Sequence, residues 1–160
     1  MRDRLRSVDA YTFYKVDYEA KYTTFARMYF TLLYGGSSVS TFPKISEERV
    51  NVHGVDNLCF PNREYNPNAP IVPGDPGLFF ASRPNAFGSK SWTSRVFIPW
   101  KTEDSSQPWG YMGDYEFIPA QPLTAVDFIS QTDAVSLEFL DYIFIYFIHP
   151  RFERTGYETF

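Results

Sequence analysis

The chain is expected to form an α+β domain: a small antiparallel sheet or partly open barrel with an N-terminal helix and a long proline-rich ordered loop. Three observations lead there. A helical repeat of apolar residues stops at Gly35-Gly36, three β-patterned runs follow one another between residues 78 and 118, and five prolines with three asparagines crowd the 18 residues from Phe60 to Gly77. At 160 residues, 44% of them apolar, the chain has the size of one domain and can fill one core. Its 16 Phe, 12 Tyr and 3 Trp each bring a large ring to bury, so core material is abundant.

The helix is predicted over Lys15–Tyr34, where Tyr18, Tyr22, Phe25, Met28, Tyr29, Leu32 and Leu33 recur every three or four residues. Thr23-Thr24 argues against it, because β-branched side chains lose rotamer freedom in a helix. Ser46 is placed to cap a short second helix through Glu47, Glu48 and Arg49 that ends by Gly54. From Phe60 to Gly77 the prolines remove donors and fix φ, which predicts an extended, ordered wrap without regular structure.

Strands are predicted at Leu78–Ser82, Arg95–Trp100 and Trp109–Ile118. In the last run Trp109, Tyr111, Tyr115 and Phe117 fall at odd positions, the alternation of a half-buried strand, and Gly113 marks a bulge or close approach. The segment Glu103–Pro108 is then the hairpin loop between the second and third strands. Thr124 with Asp127 resembles a capping box for a short helix through Val126, Phe128 and Ile129. Leu137–Ile148 suits a buried strand by composition and a helix by length; with Glu138 and Asp141 inside 12 residues it is too short and too charged to cross a bilayer.

The net charge of −4 is uneven: residues 1–30 hold six basic against four acidic side chains, residues 31–100 six against five, and residues 101–160 three against ten. That balance disfavours a broad nucleic-acid-binding face while leaving room for a local basic site. One cysteine and no apolar leader point to a reducing, intracellular setting, cytoplasmic or nuclear, without a membrane.

No phosphate-cradling glycine loop, dinucleotide fingerprint or nucleophile elbow is present, and no cofactor is indicated. His53, Asp56 and Cys59 are possible metal ligands, but that spacing fits no zinc pattern and Cys59 between Leu58 and Phe60 reads as core, so no metal site is assigned. Asp114 and Glu116 share a strand face, which suits a carboxylate pair and, equally, a solvated face. The most suggestive constellation is aromatic and basic. Trp92, Trp100 and Trp109 lie within 18 residues, interleaved with Arg83, Lys90, Arg95 and Lys101. Rings stack on bases or sugars and guanidinium groups pair with phosphates or carboxylates, while the same tryptophans are ordinary core material. Arg83, Lys90, Trp92, Arg95 and Trp109 are therefore the candidate ligand-binding residues of a non-catalytic binding module with an unidentified protein partner or ligand. A nucleic-acid reader of small-barrel type using the same residues is the alternative, and an enzyme of unknown chemistry comes third.

The segments Tyr34-Gly-Gly-Ser-Ser-Val-Ser-Thr-Phe-Pro-Lys-Ile45, His53-Gly-Val-Asp-Asn-Leu58, the proline-rich Tyr65–Phe80 (NPxAPxxPGxPGLFF) and Trp109–Phe117 are similar to an uncharacterised domain family of mushroom-forming (basidiomycete) fungi. The resemblance covers Tyr34–Ala134 and implies a lineage, not an activity. Family members continue past the position of Val135 into a polar, basic helical segment, and this chain does not. Val135-Ser136 is also what an in-frame splice donor would encode, so residues 135–160 are expected to be a translated intron lying at the periphery, against the alternative of an ordinary hydrophobic C-terminal element. The resulting division is an N-terminal helical segment (1–34), the domain (35–134) and an atypical hydrophobic tail (135–160).

Overall fold

The structure is a computed structural model describing residues 23–81, 90–100, 108–121, 124–129 and 144–150. In chain order the described elements are β1 (Thr24–Phe25), α1 (Arg27–Tyr34), α2 (Glu47–His53), β2 (Leu58–Cys59), β3 (Gly77–Ala81), β4 (Trp92–Pro99), β5 (Trp109–Pro119), α3 (Ala125–Ile129) and β6 (Phe144–Pro150). The architecture is mostly sheet with some helix, compatible with α+β.

The four longer strands form the body of one sheet, whose path runs β2-β4-β5-β6-β3 and does not close. β4 and β5 are the expected antiparallel neighbours, paired from Trp92↔Phe117 to Pro99↔Trp109. The sheet is mixed, not purely antiparallel, because β2 joins the free edge of β4 in parallel register (Leu58↔Arg95, Cys59↔Val96). β4 occupies one edge of β5 along its length. The other edge is shared by β1, at Gly110 and Trp109, and β6, from Tyr115 to Pro119.

Between those two partners β5 bulges. Val96 pairs with Gly113 but Phe97 pairs with Tyr111, so Met112 is the extra residue, and Gly113 takes φ 126°. The bulge reverses the alternation of the strand. At the bulge the even residue Met112 enters one core cluster; beyond it the odd residues Tyr115 and Phe117 enter that same cluster, with Val96, Ile98, Phe79, Tyr146 and Ile148. Trp109 and Tyr111 pack on the opposite face with Phe30, Leu58, Phe60 and Phe97. One face of the sheet thus carries the larger core and the other a compact aromatic layer under α1.

Both short helices have their expected boundary chemistry. Ser46 accepts from Arg49 N, and Gly54 ends α2 at φ 69°. Thr124 and Asp127 bond reciprocally at the start of α3. The first helix differs: α1 begins at Arg27, and Thr24–Phe25, expected to be helical, are strand. Lys15–Tyr22 lie outside the described residues, as do the hairpin loop 101–107 and residues 135–143.

The stretch between β2 and β3 holds no helix or strand, yet it supplies hydrogen bonds to strands on both sides. Asn68 O accepts from Leu78 N at 2.8 Å and Asn66 Oδ1 from Phe80 N at 2.9 Å, so two N–H groups on the edge of β3 away from β6 are satisfied. Gly74 N donates to Met112 O at the bulge, and Tyr115 OH donates to Asp75 O. Exposed edge N–H groups are templates for unwanted strand pairing, and this stretch covers them. Asn66→Ala should therefore cost about 1–3 kcal/mol by orphaning the Phe80 N–H, measured as a lowered urea midpoint at unchanged slope.

β6 corrects the expectation of a peripheral tail for the residues described. It lies between β5 and β3, in register with both (Phe117↔Ile148, Phe79↔Tyr146), and Tyr146 and Ile148 are 2% and 0% exposed. Strand rather than helix is the form it takes, because two antiparallel neighbours with buried faces offer its β-branched and aromatic residues a pleated surface to fill.

Candidate functional site

The helix α1 is short and apolar on nearly every side, so it has to choose which side to bury. It buries Phe30, whose ring lies 4.4 Å from Phe97, 5.2 Å from Phe60 and 6.2 Å from Tyr34. The residues expected to face the core do the opposite: Met28, Tyr29, Leu32 and Leu33 are 57–65% exposed. The inward positions are Arg27, Phe30 and Tyr34, a helical i, i+3, i+7 set that the apolar count passed over because Arg27 is charged.

Arg27 fixes the helix to the glycine-serine loop that follows it. Its Nε donates to Ser38 O (3.1 Å) and its Nη2 to Ser37 O and Ser40 O (both 2.9 Å), while its guanidinium carbon sits 3.2 Å from the centre of the Phe60 ring. Burial pulls its pKa down to about 10, well above neutrality, so it stays charged. At the other end Arg49 Nη1 donates to Leu33 O (3.2 Å) and Leu32 O (3.4 Å), carbonyls the helix leaves unpaired. His53 completes the join. Val55 N donates to its Nδ1, so the proton sits on Nε2 and faces Tyr34 O at 3.3 Å. Both ring nitrogens are thereby engaged in holding α1 against α2, Asp56 is exposed, and Cys59 is fully buried with its thiol pushed well up by desolvation.

Between α1 and the sheet lies a hollow of about 360 Å³, lined by Phe25, Tyr29, Phe30, Leu33, Tyr34, Arg95, Phe97 and Tyr111. Its polar end is a small network. Arg95 Nη1 donates to Asn57 Oδ1 (2.7 Å), Arg95 Nε stands 3.8 Å from Asp114 Oδ1, and Tyr111 OH donates to that same oxygen at 2.6 Å. Asp114 is thus occupied by a phenol and a guanidinium beside the hollow.

The five residues singled out from the sequence do not form one surface. Trp92 packs on the larger core, stacked on Phe117 at 4.8 Å and edge-on to Tyr146 at 4.7 Å. Trp109 is on the opposite face, edge-on to Phe60 at 5.4 Å with Arg27 5.9 Å from its ring. Arg95 shares that face and lines the hollow, Lys90 is exposed, and Arg83 lies outside the described residues. What the sequence reading missed is the outer side of α1. The available signal was two adjacent apolar pairs, Met28-Tyr29 and Leu32-Leu33, flanking Phe30: more apolar surface than one face of an eight-residue helix can bury.

Two tyrosines and the cysteine make the fold sensitive to alkali. Desolvation raises the pKa of Tyr111, with a further rise from its bond to Asp114; desolvation likewise raises Tyr115 and Cys59. In the unfolded chain these groups ionise near their ordinary values of 9.0 for Cys and 10.0 for Tyr, whereas the folded chain keeps its protons. Stability is therefore fully present below pH 9 and falls as pH rises, more steeply above 10, because the unfolded state then binds fewer protons. Denaturant melts between pH 7 and 11 should show this decline, and Tyr111→Phe should flatten it.

Among the described residues no helix is long and apolar enough to cross a membrane. A domain of unknown function, DUF6697, matches residues 24–152, a span that runs from β1 to the end of β6. The chain belongs to this family. The DUF6697 match takes in all nine described elements, including the β1, α1 and β6 that the sequence division had set outside the domain. No curated protein and no solved structure has detectable similarity to this DUF6697 chain.

Proposed function

We propose that the domain is a non-catalytic interaction module that binds a protein partner across the outer side of α1. The observation that carries this reading is the exposure of Met28, Tyr29, Leu32 and Leu33 on consecutive turns beside an aromatic hollow. Large apolar side chains gathered on one surface are the mark of contact sites, whereas the same residues scattered singly would mean nothing. The helix is also held rigidly, by Arg27 at its start and by Arg49 and His53 at its end, so its outer face is presented without further ordering. Trp92 and Trp109, turned into opposite cores, favour this reading over stacking on bases.

The proline-rich stretch 60–77 belongs to the same reading as a rigid strap: its bonds to β3 and β5 support slow amide exchange across it.

The test compares the domain with its Leu32→Glu variant in capturing partners from the native cell. Leu32 is exposed, so the variant should fold normally and lose by at least tenfold a complex that survives added salt. Binding that is unchanged by Leu32→Glu and weakens steeply with salt would favour the nucleic-acid reader, because released counterions set that dependence.

A further inference from the structure

Arg63, in the proline-rich stretch, is half-buried without a counter-charge. Its Nη2 donates to Pro70 O at 3.1 Å, and that is its one hydrogen bond or ion pair among the described residues. Burial pulls its pKa down, with no charged neighbour among them to offset the pull. A cation partly withdrawn from water is normally paired, so this one marks a place where an anion is favoured.

The guanidinium borders a second hollow, of about 450 Å³, lined by Arg63, Pro67, Ile71, Pro99 and Trp100, none of which lines the hollow under α1. Pro99 is buried and Trp100 half-buried, while Pro67 and Ile71 are exposed, so the end of β4 gives the floor and the proline-rich stretch the rim. Trp100 is fixed in this floor. Its backbone N–H donates to Pro108 O at 2.8 Å, and its five-membered ring lies against Gly110 of β5, where any side chain would collide with Nε1.

The lining sets the chemistry of what fits. Trp100 and two prolines are rigid apolar bodies, and an indole gains most from offset or edge contact with another ring. Arg63 is the one charged side chain of the lining, so that ring has to carry an anion. Nη2 has two hydrogens, one on each edge of the guanidinium fork; the bond to Pro70 O uses one and leaves the other edge whole. One edge presents two parallel N–H groups, which match the two oxygens of a carboxylate. A phosphate would bring further charge and a third oxygen that no second cation of the lining meets. A peptide would bring amide N–H groups, and none of the five side chains is an acceptor for them.

We propose that this hollow is a binding site for a small aromatic carboxylate, its ring packed on Trp100 and its carboxylate held by the free edge of Arg63. The site shares no residue with the outer side of α1, so it stands or falls independently of the partner surface proposed there.

The experiment is an NMR titration of the isotope-labelled protein at neutral pH with 3-phenylpropionate. Its neutral amide, acetate, phenyl phosphate and N-acetyl-L-phenylalanine are run as companions. The acid should give saturable shifts at Ile71, at the Trp100 indole and at Arg63 Nε. The amide keeps the shape and loses the charge, so it should bind about tenfold more weakly, and acetate, which lacks the ring, should give no saturable shift. Arg63→Gln, its fold checked by retained amide dispersion, should weaken the acid to the level of the amide, and Arg63→Lys, which keeps the charge without the fork, should recover only part of the loss. Ile71→Asp changes an exposed side chain and should also abolish binding, by placing a competing carboxylate at the rim. Absence of saturable shifts, shifts that map elsewhere, or equal binding by the amide would overturn the proposal, as would tighter binding of phenyl phosphate or of N-acetyl-L-phenylalanine than of the simple acid.

Discussion

Replacing Ile148 with Asp should unfold the domain. Ile148 is fully buried on β6, its backbone in register with Phe117 of β5 on one side and Gly77 of β3 on the other. An Asp there either carries a charge into a dry core with no partner or holds its proton at neutral pH, and it also forfeits the packing of the lost side chain. The combined cost is about 4–5 kcal/mol or more, comparable to the whole stability of many domains. Circular dichroism should show no cooperative thermal transition. Ile148→Val, which keeps the shape and removes one methylene, should cost only about 1 kcal/mol. A truncation after Ala134, which removes β6, should likewise fail to give a cooperatively folding chain. If that truncated protein instead melts cooperatively at the temperature of the full chain, β6 contributes nothing to the sheet and its burial has no energetic consequence.

The elements that were legible in the sequence are those whose signal is local. Ser46 and Gly54 bracket α2 because capping is decided within one turn, and Thr124 with Asp127 starts α3 for the same reason. β4 and β5 could be paired because the first carries a β-branched and aromatic run, the second alternates with period 2, and a short connection joins them. The elements that were not legible depend on partners far away in sequence. Phe25 fits a helical repeat with Met28 and Tyr29, but it finds the unpaired edge of β5 beside Trp109 and becomes strand, with Thr24 as the local hint. Leu58–Cys59 is too short to show any period and is a strand only because β4 has a free edge there. β4 itself begins at Trp92 rather than Arg95, since Thr93 and Ser94 read as loop until the pairing with Glu116 and Tyr115 is known.

The candidate site was lost by parity. Gly113 was recognisable as a place where β5 departs from regularity, but a bulge also exchanges the faces of everything beyond it, and the sequence does not say relative to which core. So Trp109 and Tyr115, both at odd positions, end on opposite sides, and Trp92 follows Tyr115 and Phe117 rather than Trp109. The same blindness applied to α1. A count of apolar residues favoured Met28, Tyr29, Leu32 and Leu33, whereas the buried side is set by a charged residue, Arg27, whose burial is possible only because three backbone carbonyls of residues 37–40 converge on it.

That convergence makes Arg27 the second position where a single change should have a large effect. Arg27→Met keeps most of the aliphatic stem but leaves the carbonyls of Ser37, Ser38 and Ser40 without their donor and the Phe60 face without its cation. A charged donor to a carbonyl contributes about 1.5–3 kcal/mol. The exposed carbonyl of Ser37 can turn to water, so the expected loss is about 3 kcal/mol rather than the sum of three such bonds. Arg27→Lys separates charge from geometry. A lysine ammonium restores the charge near Phe60 but has no planar fork to reach three carbonyls at once, so it should recover less than half of the loss. Because the loop 37–40 packs beside Phe60, whose N–H donates to Thr41 O, the damage should appear as faster amide exchange at residues 37–42 and 60 before it appears elsewhere. Full rescue by lysine, or exchange rates in that loop unchanged in Arg27→Met, would show that α1 is seated by Phe30 alone and that the guanidinium is incidental to it.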